Sequence, residues 1–342
     1  MHRVRSLAAV VMVIALLAAC GGGDKKSTAQ QSSPPPPPPP TTAPPPVFPL
    51  TGLPQSGPTA ARPALSVKID NVQSALPQSG LNQADIVYEE LVEGGQTRLF
   101  TVFQSQDADP VGPIRSARPV DADLLDQLGG GLFAYSGAAP GEIAPVEDHS
   151  GATLLSNDAG VSAFYRDTSK AAPHNVYSST AALYQAGADA GDHSAPPPQQ
   201  FKYGDATGGR PVTNADMIMG LRATAAWHWN AATGAYERDQ NGAPDTLDDG
   251  SPVTATDVLI QSVAIQGTGV FDSIGEEDPL VVVIGQGPCW LLRDGQLIEG
   301  TWSRPATTAP TTFTANGGGD LVLHPGRTWV ELLPNTLQPN FQ

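Results

Sequence analysis

The 342 residues carry 34 acidic against 18 basic side chains, a net charge of −16 with histidine neutral. An acidic surface of this kind repels nucleic acid and anionic lipid headgroups, so neither is expected as a partner. Two cysteines cannot build a disulfide framework, and no stretch reaches the about 20 apolar residues that a membrane-spanning helix requires.

The chain opens with Arg3 and Arg5, then thirteen apolar residues from Leu7 to Ala19, then Cys20. Cations, a short apolar centre and small residues before a cut make an export signal over residues 1–19. The ending Leu17-Ala-Ala-Cys20 has the form of a bacterial lipoprotein signal, which makes Cys20 the lipidation site. Acyl chains there would hold the protein to the outer face of the cell membrane, each buried methylene contributing about 0.8 kcal/mol. Removal of Arg3 and Arg5 leaves 16 basic against 34 acidic residues, or −18. Cys289 has no adjacent His or Lys to activate it, and a buried, inert thiol is expected. Residues 20–47, with seven consecutive prolines at 34–40, have no apolar content to fold around. They read as a disordered stalk, in part polyproline II at about 3.1 Å per residue, with a reach of at most roughly 80 Å.

Residues 48–195 are expected to form a mixed α/β domain. Strands are predicted at 65–69, 85–92, 97–104 and 132–135. In the third, Leu99, Thr101 and Phe103 fall on one face and Phe100 and Val102 on the other, which suits a central strand buried on both sides. Val120, Leu124 and Leu128 recur at helical spacing behind Pro119, and Gly129 to Gly131 end that helix. A second helix is predicted from Ser178 and Ser179 as caps, through Leu183 and Tyr184, to about Gly187. The Pro-rich stretch 193–200 marks a break. Residues 210–338 then read as a mostly antiparallel β domain, with strands near 227–229, 254–265, 280–284, 290–302, 320–324 and 328–333. Asp294-Gly295 is a two-residue hairpin turn inside the 290–302 segment. The fold class is α+β.

Two clusters could carry chemistry. In Gly112-Pro-Ile-Arg-Ser-Ala-Arg-Pro-Val-Asp121, Arg115 and Arg118 could clamp a carboxylate or phosphate, with Ser116 as a further donor and Asp121 orienting either arginine. The bland alternative pairs these arginines with Asp121, Asp123 or Glu89. In the second cluster, His174 behind Pro173 could act as a general base or hold an anion with Arg166 and Lys170, beside Asn175 as a second orienting residue or a turn residue. The histidines lack the close spacing of a zinc pattern, and there is no Gly-rich phosphate loop or Gly-x-Ser-x-Gly elbow, so no metal and no cofactor are expected. Glu89 and Glu90 point to opposite faces of their strand, which favours a solvated edge over a carboxylate pair.

Pro49-Leu-Thr-Gly52, Arg62-Pro63, Val67-Lys-Ile-Asp-Asn71, Ala84-Asp-Ile-Val-Tyr-Glu89, Thr97-Arg98, Gly112-Pro-Ile-Arg-Ser-Ala-Arg-Pro119 and Pro173-His-Asn175 form an ordered set of short motifs. With Gly287-Pro-Cys-Trp290, Gly300-Thr-Trp-Ser303 and Pro325-Gly-Arg-Thr-Trp329, they resemble the YerB-like bacterial lipoproteins across nearly all of the chain after the stalk. The resemblance implies an envelope lipoprotein with an N-terminal mixed domain and a C-terminal β-rich one. It supplies no catalytic residue. Asp257 stands where that family commonly has Asn.

Three functions remain open on the sequence. The first is a membrane-tethered binding or scaffold protein with Arg115, Ser116, Arg118, Arg166 and His174 as an anion-recognising surface; its partners would be a cell-wall or other anionic ligand, or an envelope protein. The second is an enzyme on a cell-wall or glycan substrate, using His174 as acid or base and the arginines as electrostatic support. The third is purely structural. A binding protein is preferred over an enzyme.

Overall fold

Alternating apolar residues from 65 to 103 build three adjacent strands at the centre of a sheet that other strands extend on both sides. The computed structural model describes residues 45–55, 57–149, 151–205, 208–271 and 275–342; the expected export signal, Cys20 and the expected stalk as far as Pro44 lie outside them. In chain order the first part contains β1 (Leu65–Asp70), β2 (Ile86–Leu91), β3 (Thr97–Phe103), α1 (Val120–Gln127), β4 (Leu132–Tyr135), α2 (Pro140–His149), β5 (Thr153–Ser156), β6 (Tyr165–Arg166), β7 (Val176–Tyr177) and α3 (Thr180–Asp189).

β3 lies antiparallel between β1 and β2, and all seven of its residues are buried. Both faces are covered, as its apolar pattern requires. β4 joins β1 in parallel and β5 joins β4. Pro119 precedes α1 at the N-cap, and the helix ends before Gly129, Gly130 and Gly131, all at positive φ. The Ser179 side chain caps α3 by accepting from the Ala182 N–H at 3.2 Å. Gly187 does not end that helix: it lies inside it, close against Leu132, and the helix continues to Asp189. α2 was not anticipated, because Gly141 and Pro145 interrupt its apolar period.

After α3 the described residues contain strands and no α-helix. The long strand Asp257–Phe271 runs antiparallel to Gly285–Arg293 and parallel to Thr328–Pro334. Gly285–Arg293 and Gln296–Arg304 form the expected hairpin, turning through Asp294 at φ 51° and Gly295 at φ 71°. Thr328–Pro334 also pairs in parallel with β2, from Ile86 opposite Thr328 to Glu89 opposite Glu331. Segments 48–195 and 210–338 therefore contribute strands to one twelve-stranded sheet. A second sheet is built around Asn214–Gly220, Ala223–Asn230 and Ala235–Gln240.

Two cores result. On one face of the large sheet, Leu65, Val67, Leu99 and Phe103 cluster with Leu183 of α3 and with Trp227 and Tyr236 of the second sheet. On the other, Phe100, Val102 and Phe133 cluster with Val120, Leu124 and Leu125 of α1 and Val146 of α2. Each fully buried side chain of this size contributes about 1.5–3 kcal/mol. The mixed, largely β architecture fits the α+β class. No helix among the described residues is long and apolar enough to cross a membrane.

Candidate functional site

Charged residues interrupt the alternation on β1 to β3 at one end of the strands. Lys68 and Asp70 leave β1 on the α1 side, where Asp70 lies opposite Arg98 of β3, and Arg98 lies opposite Glu90 of β2. Lys68 and Glu90 are completely buried. The Lys68 ammonium donates to Asp121 Oδ1 at 2.6 Å and to Glu90. Burial drives the Glu90 carboxyl up to about 8, against the pull of Lys68 and with repulsion from Asp121 adding to the rise. Asp121 also accepts from the Arg118 backbone N–H at 2.7 Å. It thus orients the Arg118 backbone and leaves the guanidinium to other partners.

Arg118 faces inward, only 4% exposed. Its guanidinium contacts Glu93 at 2.9 Å, Asp278 at 3.1 Å and Glu142 at 3.3 Å. Arg98 also donates to Glu93, at 2.8 Å. Burial opposes ionisation of Glu93, but Arg98 and Arg118 outweigh it and hold the carboxyl down at about 2. For Asp278, burial wins over Arg118 and lifts it to about 7. This is a closed internal cluster, and it takes Arg118 out of any exterior anion site.

Arg115 is placed differently. Its backbone N–H bonds the Lys68 carbonyl at 2.8 Å and the preceding Ile114 N–H bonds Val176 at 2.6 Å, so the loop is laid between β1 and β7. Its Nε lies 3.2 Å from Asp70 Oδ2, and its side chain is 26% exposed. His174, 104 residues beyond Asp70 and delivered by the loop between β6 and β7, places Nδ1 2.7 Å from the same oxygen. Its Nε2 lies 3.0 Å from Ser74 Oγ. A carboxylate only accepts, so Nδ1 carries the proton, and in the neutral ring Nε2 then accepts from the serine hydroxyl. Lys170 fastens the same loop to the turn carrying Ser74, donating to Pro77 O at 2.5 Å and Ala75 O at 3.2 Å.

The two sequence clusters therefore meet at Asp70, through Arg115 and His174. Arg166 is not part of that contact: it is exposed and donates to Asn175 Oδ1 at 2.7 Å. Asn175 is buried and also donates to the Asp167 and Lys170 carbonyls, holding its own loop. Ser116 is half-buried, facing Gly137, where a Cβ would come within 2.9 Å of its Oγ. Sequence reasoning missed Asp70 and Ser74 as site members. Lys68 and Asp70, alternating with Val67 and Ile69 on a strand buried on both sides, were the available signal for Asp70, since such charges must be paired. Nothing local marks Ser74.

Glu89 and Glu90 do occupy opposite faces, but the expected solvated edge is incorrect, because both are buried and ion-paired. Thr328–Pro334 covers the edge of β2, and Arg238 from the second sheet reaches Glu89 and Asp245, each at 2.6 Å, with its guanidinium over the Trp329 ring. Burial pushes the Cys289 thiol up to about 12, so it stays inert. Among the described residues no three His, Cys, Asp or Glu side chains gather as a metal site. A cleft of about 300 Å³, lined by Gln73, Leu76, Pro77, Gln240 and Pro244, adjoins the turn that carries Ser74.

The same motifs that meet at Asp70 lie within the regions shared with known proteins. Residues 50–193 match the N-terminal domain, and residues 215–330 the C-terminal domain, of the family described as a protein of unknown function, DUF3048. The chain is 28% identical over 293 residues to "Putative lipoprotein YerB" of Bacillus subtilis (strain 168), covering 84% of this chain and 86% of that one. The crystal structure of the YerB protein from Bacillus subtilis superposes with a TM-score of 0.74 at 26% identity, over 86% of this chain and 99% of that one. The motif resemblance read from the sequence is thereby borne out, and the chain belongs to the DUF3048 family, with that family's N-terminal and C-terminal domains in order.

Proposed function

We propose that this protein is an exported, lipid-anchored binding protein of the cell envelope that recognises an anionic ligand, a carboxylate or a phosphate, through Arg115. The anchor is supported by Leu17-Ala-Ala-Cys20 behind an export signal and by the name of the Bacillus subtilis relative. The ligand reading is carried by one observation. Arg115 Nε lies 3.2 Å from Asp70 Oδ2 as an ion pair without hydrogen-bond geometry, its outer guanidinium nitrogens have no hydrogen bond among the described residues, and its side chain is partly exposed. A guanidinium drawn toward a buried carboxylate at one edge and open at the other suits bidentate recognition of an anion.

The local charge favours the same reading. Lys68 is paired with Asp121 and Arg118 with Glu93 in the interior, so the partly exposed cations near Asp70 are Arg115 and, on the adjoining loop, Lys170 and Arg166. In a chain of net charge −16, such a focus raises the local concentration of small anions.

Calorimetric titration with wall disaccharide-peptides, sugar phosphates and polyphosphate tests the ligand reading. One ligand class is expected to bind, and Arg115→Ala to weaken it at least about tenfold, a loss of about 1.4 kcal/mol, while the variant stays folded with a stability loss on the order of 1 kcal/mol. Absence of binding by every class, or full affinity in Arg115→Ala, contradicts it. For the anchor, Cys20→Ser is expected to move the protein from the membrane fraction to the soluble one.

A further inference from the structure

We propose that Ser74, His174 and Asp70 form a nucleophilic relay that hydrolyses an acyl ester, and that the anion Arg115 binds is the carboxylate this reaction releases. The proposal rests on the Arg115 reading and adds a reaction to it. Its basis is the unbroken chain from Ser74 Oγ to His174 Nε2 at 3.0 Å and from His174 Nδ1 to Asp70 Oδ2 at 2.7 Å. Asp70 is buried, His174 is partly buried, and Ser74 is exposed at the outer end. A buried carboxylate orienting an imidazole toward an accessible hydroxyl is the arrangement that lets a serine act as a nucleophile. The cleft lined by Gln73, Leu76 and Pro77 adjoins the serine's turn, with room for part of a ligand.

The chemistry balances with water as the second reactant. His174 Nε2 takes the Ser74 hydroxyl proton as Oγ bonds to the ester carbonyl carbon, and the carbonyl π pair moves onto oxygen. Collapse breaks the bond from carbon to the leaving oxygen, which takes the proton from His174 and departs as an alcohol. Water, giving a proton to His174, then attacks the acyl-serine. Carboxylic acid leaves, and the proton returns to Ser74. The imidazole is shared with no other described side chain, so no competing contact occupies Nε2.

A purely structural role is the rival explanation, since Lys170 already ties the same loop to the same turn. A covalent adduct separates the two. The detergent-solubilised full chain is treated with a fluorophosphonate probe and mapped by peptide mass spectrometry, and hydrolysis of p-nitrophenyl acetate is followed alongside. One adduct on Ser74 is expected, absent in Ser74→Ala, with labelling slowed on the order of 10⁴-fold in His174→Gln. Ser74 is exposed, so Ser74→Ala is expected to melt with the wild type and to retain acetate binding. No adduct on Ser74 in the folded wild type, or unchanged labelling in His174→Gln, overturns the relay. If acetate binding through Arg115 persists in that case, the relay alone fails; if it is lost as well, the anion reading fails with it.

Discussion

Asp70 Oδ2 and His174 Nδ1 lie 2.7 Å apart although 104 residues separate them in the chain. The same oxygen lies 3.2 Å from Arg115 Nε as an ion pair, so one buried carboxylate brings together two partly exposed groups drawn from two separate motifs. Asp70→Asn keeps the shape and removes the charge. Hydrogen bonds to charged groups contribute about 1.5–3 kcal/mol, and a loss in that range is expected in urea unfolding, together with loss of anion binding. Unchanged stability would show that the contact does not hold the loop.

Lys68 has no water to fall back on. With Glu90 and Asp121 on either side and all three buried, Lys68→Met leaves Asp121 beside Glu90 without a cation. Breaking a buried pair in this way costs about 3–5 kcal/mol. Adding Glu90→Gln to that variant is expected to recover part of the loss, and the double-variant unfolding midpoint checks it.

Arg115 and Arg118 are expected to behave in opposite ways despite their proximity in sequence. Arg118→Ala strands Glu93, Glu142 and Asp278 in the interior and is expected to cost about 3–5 kcal/mol. Arg115→Ala removes a partly solvated contact, expected to cost on the order of 1 kcal/mol, while weakening ligand binding at least about tenfold. Denaturation and titration on the same two variants separate these roles.

Stability should fall as pH rises from 5 to 8. Burial raises Asp278 to about 7 and Glu90 to about 8 from ordinary values of 3.8 and 4.5. Each therefore holds its proton more tightly when folded, and its contribution is complete below the ordinary value and lost as pH rises through the folded one. Glu93, held at about 2, acts in the opposite direction: its contribution is present above 4.5 and lost as pH falls through 2. Over the upper window the slope is at most about 1.4 kcal/mol per pH unit for each group. Urea midpoints at pH 5.5 and 8 measure it, and Asp278→Asn is expected to flatten it.

Features encoded by neighbouring residues were legible in the sequence. The double-sided burial of β3, the Asp294-Gly295 turn and the Ser179 cap each depend on side chains within a few positions. Pairing of β2 with Thr328–Pro334 was not legible, because a parallel contact across more than two hundred residues leaves no periodic trace. For the same reason Arg115 and His174 were found as separate clusters, and their common partner Asp70 was not. Arg118 and Arg115 looked equivalent because burial, which distinguishes them, is a property of the folded chain.

The shared sheet makes the first part dependent on the second. Residues 45–195 expressed alone would expose the β2 edge that Thr328–Pro334 covers and leave Glu89 without Arg238. An unpaired apolar edge is a template for aggregation. This fragment is expected to be insoluble or unfolded by circular dichroism, and to be rescued by co-expression with residues 196–342.

The most direct measurement is nuclear magnetic resonance of ¹⁵N-labelled arginine guanidinium groups during titration with the ligand class identified by calorimetry. The Arg115 signals are expected to shift and saturate with the calorimetric affinity, while those of Arg118 stay in place. Shifts confined to other arginines, or none at saturation, would contradict an anion site at Arg115.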